Sequence, residues 1–210
     1  FLVFRQQLRA QATNTIANPL LYLFGFGFGM GAVIDSMEGI PYLAFVSAGI
    51  MANTAAFSSG FETGINAFSR MTTQQIYGAI LATPARVGDI AAAEIVWAGI
   101  RGLIGSAAVL IVCSLFGGYV GPWWSVLFVL PVLYLGALMF AATGLAVTAH
   151  AKTFESFSYY FTFWFTPNLV FTGVFFPIDR LPDWLEPAAW LLPMSSFVGA
   201  VRTLATGAPI

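Results

Sequence analysis

The chain has 210 residues, of which 59% are hydrophobic and only 8% charged, with a formal net charge of −1 and a mean hydropathy of +0.83. An ordinary soluble domain carries about 25% charged residues, so this composition cannot cover a water-exposed surface. The near-neutral charge gives no electrostatic basis for binding nucleic acid, and a lone cysteine, Cys113, excludes an intrachain disulfide.

The few charges are clustered. None occurs from Ala10 to Ile34, Gly39 to Phe61, Gly102 to Ala149 or Ser156 to Ile178. Each of these runs reaches or exceeds the roughly 20 residues that a helix needs to cross about 30 Å of hydrocarbon. An all-α, polytopic membrane protein is therefore expected.

In chain order, Phe1 to Asn14 mixes apolar residues with Arg5, Gln6, Gln7 and Arg9. Residues 1–16 read as an amphipathic helix lying in the membrane interface. Asn18-Pro19 offers a helix start for a first span that runs to about Ile34. That run is too long for a cleavable signal peptide and lacks a small-residue cleavage pattern. Asp35, Ser36, Glu38, Gly39 and Pro41 form a short polar turn before a second span from about Pro41 to Glu62. Residues 63–89 form the longest polar insert. A third span is expected from about Ile90 to Phe116, a turn at Gly117 to Ser125 (GGYVGPWWS), and a fourth span from about Trp124 to Thr148. Tyr119, Trp123 and Trp124 sit where interfacial aromatics belong. After the polar connection His150 to Glu155, a fifth span covers about Phe157 to Phe176. Residues 177–206 are punctuated by Pro177, Pro182, Pro187 and Pro193 and read as short interfacial or re-entrant helices.

Lys and Arg set the orientation. With the N-terminus inside, Arg5, Arg9, Arg70, Arg86 and Lys152 are cytoplasmic, against Arg180 and Arg202 outside. An odd number of crossings then leaves the C-terminal end outside, so a sixth span is expected beyond Ile210. Phe1 and Ile210 read as the cut ends of a longer chain.

Four features stand out. Gly25, Gly27, Gly29 and Gly31 superimpose two small-xxx-small patterns, which point to close helix packing. A phosphate-cradling loop would need Gly-Lys-Ser/Thr after them, and none follows. Glu62, Glu94 and Arg101 are ionisable residues at or inside predicted spans, where each costs on the order of 2.5–3.5 kcal/mol at mid-depth. Glu94 and Arg101 share a helix face but stand about 10 Å apart along the axis. Arg101 must therefore reach back, or Glu62 or a neighbouring subunit must share the contact. Two readings remain open, a structural set of ion pairs and a polar inner vestibule. In the insert, Met71, Ile76, Ile80 and Leu81 suggest one apolar stripe on a short helix before Pro84. His150, the lone histidine, has no companions at metal-ligand spacing, and no nucleophilic or paired-carboxylate set occurs, so no catalytic or metal site is expected.

The amphipathic N-terminal helix, the glycine-rich first span, the sequence YLAFVSAGIMANTAAFSSGFET in the second span, the insert AFSRMTTQQIYGAILATPARVGDIAAAEIVW and the late segment FFPIDRLPDWLEPAAWLLPMSSFVGAVR together resemble the ABC type-2 transporter permeases, and within them the NodJ-like lipooligosaccharide export permeases. The resemblance covers essentially the whole chain as a single domain. It implies a six-span inner-membrane subunit that dimerises, coupled to two cytoplasmic ATPase subunits that bind ATP, the chain itself holding no cofactor and no ATPase motif. It also implies a coupling helix between the second and third spans, here Arg70, Gln74, Ile80, Pro84 and Arg86, and outer re-entrant helices at about Pro177 to Arg202. The expectation is an ATP-driven exporter of an amphiphilic glycolipid. The rival is an ion-coupled secondary transporter or channel with Glu62, Glu94 and Arg101 as its ion path.

Overall fold

The computed structural model describes residue 21 and residues 23–207, apart from the side chain of Phe28. The expected interfacial helix over residues 1–16 and the Asn18-Pro19 helix start lie outside the described residues.

The described part of the first span is a π-helical segment, Leu23–Met30. The polar turn after it folds as a small hairpin, β1 (Ser36–Met37) against β2 (Ile40–Pro41). Glu38 and Gly39 both take positive φ, 54° and 76°, the backbone that a two-residue hairpin with right-twisted strands requires. This hairpin is the one β-structure among the described residues.

Three helices are long and apolar enough to cross a membrane: Tyr42–Thr72 (α1), Val87–Leu115 and Trp123–His150. The first of these runs ten residues past the predicted end at Glu62, because Glu62–Asn66 continues it as a π-helical turn and Ala67–Thr72 as α-helix. The Thr148 hydroxyl donates to the carbonyls of Thr63 (2.6 Å) and Gly64 (3.1 Å), so the widened turn leaves those buried acceptors satisfied. Gln75 then takes a left-handed backbone, φ 51°, which separates α1 from the six-residue helix α2, Ile76–Leu81. The predicted stripe is thereby divided, with Met71 on α1 and Ile76, Ile80 and Leu81 on α2.

Helix α3, Val87–Leu115, starts where the Asp89 carboxylate accepts the Arg86 N–H at 2.8 Å, the second half of a capping box. It stops at Phe116, before Gly117 with φ 77°. Helix α4 is Val126–His150, led in by a 3₁₀ turn at Trp123–Ser125. The fifth predicted span is helical as α5 over residues 155–170, a run of α, π and α turns, and then bends through residues 171–176. Two further helices follow, α6 (Glu186–Leu191) and α7 (Pro193–Thr206).

Helix α1 is the axis of the bundle. It packs against α3, α4 and α7 and is buried almost all round. Alanine and glycine make this possible, since helices in lipid associate by close backbone approach rather than by excluding water. A Cβ on Gly102 of α3 would lie 2.6 Å from the Ala55 carbonyl oxygen of α1 and 2.9 Å from Ala137 Cβ of α4. One on Gly144 of α4 would lie 2.7 Å from the Gly60 carbonyl oxygen. By contrast, α3 and α4 bury one face and expose Val96, Ile100, Ile104, Ile111, Leu127 and Leu135 on the other. Large aliphatic side chains exposed in rows along long helices are what a lipid-facing surface requires.

On the far side of the bundle, α7 lays Met194, Phe197, Val198 and Val201 against this core. The Arg202 guanidinium stacks 3.5 Å from the Phe45 ring centroid and donates to the Gly173 carbonyl, tying α7 to α1 and to the bend after α5.

A charged knot where the insert meets the long helices

The C-terminal end of α1, the N-terminal end of α3 and the C-terminal end of α4 lie together, so Arg70, Arg86, Asp89 and Lys152 collect at one end of the bundle. Glu62 and Glu94 are buried there, 2% and 9% exposed. Their charges are answered by two arginines.

Arg70 stands eight residues after Glu62 on α1, and eight positions of pure α-helix would place them about 80° apart around the axis. The π turn between them absorbs one extra residue, so Arg70 falls close to where the seventh position would fall, beneath Glu62. Its Nη1 donates to Glu62 Oε1 at 2.9 Å. The same guanidinium grips Glu94 of α3 with two bonds, Nε to Oε1 at 2.9 Å and Nη2 to Oε2, the fork geometry that arginine offers and lysine cannot. Arg101, also on α3, donates to Glu62 Oε2 rather than to Glu94. Asn66 Nδ2 adds a bond to Glu62 Oε2 at 2.6 Å, and the Tyr77 hydroxyl of α2 donates to Glu94 Oε1 at 2.7 Å.

The result is an alternating chain, Glu94–Arg70–Glu62–Arg101, with formal charges that cancel. Pairing of this kind is what allows ions to remain charged when largely removed from water. These are the salt bridges found among the described residues, and they join α1 to α3, with Tyr77 adding α2. Burial pushes the Tyr77 phenol above its ordinary range, and its bond to the Glu94 carboxylate raises it further, so the hydroxyl keeps the proton it donates.

Beside the knot, between α2 and α3, lies a cavity of about 420 Å³, with Ile76, Ile80 and Trp97 on its walls and Arg70, Tyr77 and Glu94 at its polar edge.

The structure thus brings Glu62, Glu94 and Arg101 together and adds Arg70, which it separates from the other residues of the expected coupling set. Gln74 is exposed in the break before α2, Ile80 is 37% exposed on α2, Pro84 is exposed after it, and Arg86 is exposed at the start of α3. Of the four glycines of the first span, Gly27 approaches Leu43 and Gly31 lies near Tyr42, whereas Gly25 and Gly29 have open space around them among the described residues. Two participants in the knot were not singled out from the sequence. Asn66, four residues after Glu62, carried a usable helical-spacing signal; Tyr77 had none, because its partner lies on another helix.

The family model of the ABC-2 type transporters matches residues 2–205. The chain belongs to the ABC-2 type transporter family. It is accordingly a membrane transport permease, and its long lipid-facing helices are those of a polytopic membrane protein. Among relatives of this ABC-2 chain, nodulation protein J of Rhizobium leguminosarum bv. trifolii is 36% identical over 210 residues, covering all of this chain and 79% of that protein. Nodulation protein J of Rhizobium meliloti (strain 1021) is 34% identical with the same coverage. The inner membrane transport permease YadH of Escherichia coli (strain K12) is 26% identical over 182 residues, 87% of this chain and 70% of that protein. No solved structure matches.

Proposed function

We propose that this chain is the permease subunit of an ATP-driven exporter in the inner membrane, with its N-terminus cytoplasmic, moving an amphiphilic glycolipid or lipooligosaccharide outward. In this reading residues 63–89 couple it to cytoplasmic ATP-binding subunits, residues 177–206 form the outer re-entrant segment, and two permease copies enclose the path. The observation that carries it is α2. This short helix at the charged end of the bundle leaves Ile76, Ile80 and Leu81 exposed and has no buried residue of its own, the surface expected of an element that seats in a groove on a soluble partner. The cargo class rests on the likeness to lipooligosaccharide export permeases, and the second copy is supported by the face at Gly25 and Gly29, which no described residue occupies.

The ion-coupled alternative is disfavoured because both buried carboxylates are already held by guanidinium groups, leaving neither free to bind a transported ion. The test is reconstitution of the full-length permease with its ATP-binding subunit in liposomes. Ile80→Asp is expected to abolish co-purification of that subunit and ATP-driven movement of a fluorescent lipid-linked oligosaccharide. Movement that continues without ATP and stops when the proton gradient is dissipated would overturn the reading.

A further inference from the structure

Helix α2 is weakly anchored to the rest of the molecule. It is bounded by the left-handed Gln75 before it and Pro84 after it, and a Cβ on Gly78 at its centre would meet nothing within 4 Å. The 420 Å³ cavity lies between it and α3, and across such a gap dispersion contacts are lost, so packing alone transmits little of any displacement. Among the described residues, one hydrogen bond carries α2 to another helix, from the Tyr77 hydroxyl to Glu94 Oε1 at 2.7 Å. Glu94 is in turn held bidentately by Arg70, and Arg70 holds Glu62, which holds Arg101. Tyr77 therefore opens a continuous series of charge-assisted bonds that reaches both α1 and α3. Such bonds are short and directional, and here they are anchored at buried carboxylates that tolerate no loss of their partners.

We propose that Tyr77 and Arg70 are positioning residues that convert movement of α2 into movement of α1 and α3, the Tyr77–Glu94 bond being the joint through which the displacement passes. The proposal rests on the reading of α2 as the ATPase-coupling helix, and it adds a residue and a route to that reading. It requires the joint to be separable from docking, because Tyr77 faces the knot while Ile80 and Leu81 are exposed on α2.

The test uses the full-length permease with its ATP-binding subunit in lipid nanodiscs. A cysteine placed by Leu115→Cys reports on the opposite end of α3, about 31 Å along the axis from Glu94, at a site that is 78% exposed. Its maleimide labelling rate is measured with and without a non-hydrolysable ATP analogue, beside co-purification and ATP turnover. Tyr77→Phe removes one hydroxyl and keeps the ring. It is expected to retain co-purification and ATP turnover while the nucleotide-dependent change in labelling falls about fivefold or more, as loss of one hydrogen bond to a charged group allows. Arg70→Lys keeps the charge but loses the fork, and is expected to reduce the change by a smaller factor. A full nucleotide response in Tyr77→Phe overturns the joint, even where Ile80→Asp abolishes co-purification. Retention of the ATP-binding subunit by Ile80→Asp, or a parent protein whose labelling ignores nucleotide, overturns the coupling reading as well.

Discussion

The middle of the bundle and its charged end hold α1 and α3 together by opposite means. Along the middle, α1, α3 and α4 meet through Ala55, Gly60, Gly102, Ala137 and Gly144, with backbones so close that a single added methyl would collide with a carbonyl oxygen. At the end, α1 and α3 are joined by long side chains whose charges cancel pairwise. The first kind of contact tolerates no added volume and the second no lost charge. Close packing gives the spans a fixed relation inside lipid, and the knot gives a short helix outside the bundle a grip on them.

Removing a charge from the knot is expected to have the largest effect. Glu62→Ala leaves Arg70 with one carboxylate and Arg101 with none, so a loss on the order of 3–5 kcal/mol is expected, read as a lowered unfolding midpoint in detergent. Adding volume to the packed seam comes next. Gly144→Val sets a branched side chain against Thr63 Oγ1 and the Gly60 carbonyl, and should cost about 1–3 kcal/mol by the same assay. Ile80 lies on the cavity wall beside the knot but is 37% exposed and takes no part in its bonds, so the stability of Ile80→Asp should stay within about 1 kcal/mol of the parent while binding of the ATP-binding subunit is lost in pull-down. The smallest effect on the folded chain is expected from Gly25→Ala, since no described residue lies within 4 Å of the added methyl. A sharp fall in the dimeric fraction for that variant, measured by mass photometry, would place the second copy on this face.

The long helices were legible in the sequence, and the contrast between their packed middle and their charged end was not. Charge-free runs located the long helices because hydrocarbon leaves so few alternatives, and the starts and ends of α3 and α4 fall within a few residues of expectation. The end of α1 did not, because Glu62 reads as a boundary when its partners are unseen; paired with Arg70 and Arg101, it sits inside a helix that continues to Thr72. The seven-residue spacing of Glu94 and Arg101 left open whether Arg101 reaches back or meets Glu62, and in the structure it meets Glu62; Tyr77 stands 17 residues before its partner Glu94, with no helical-spacing signal, and its contact depends on the left-handed turn at Gln75. The glycine run drew the eye toward Gly25 to Gly31, whereas the tightest approaches between long helices fall at isolated glycines such as Gly102 and Gly144. A lone glycine in an apolar helix gives no periodic signal; only the neighbouring backbone reveals its use.

Site-specific photo-crosslinking most directly tests whether α2 is the part of this permease that meets an ATP-binding subunit. With a benzophenone side chain at Ile80 and, separately, at Leu115, in the full-length protein in native membranes, adducts to a nucleotide-binding protein are expected from Ile80 and none from Leu115. Adducts from Leu115 alone, or no nucleotide-binding protein captured at Ile80, would contradict the account.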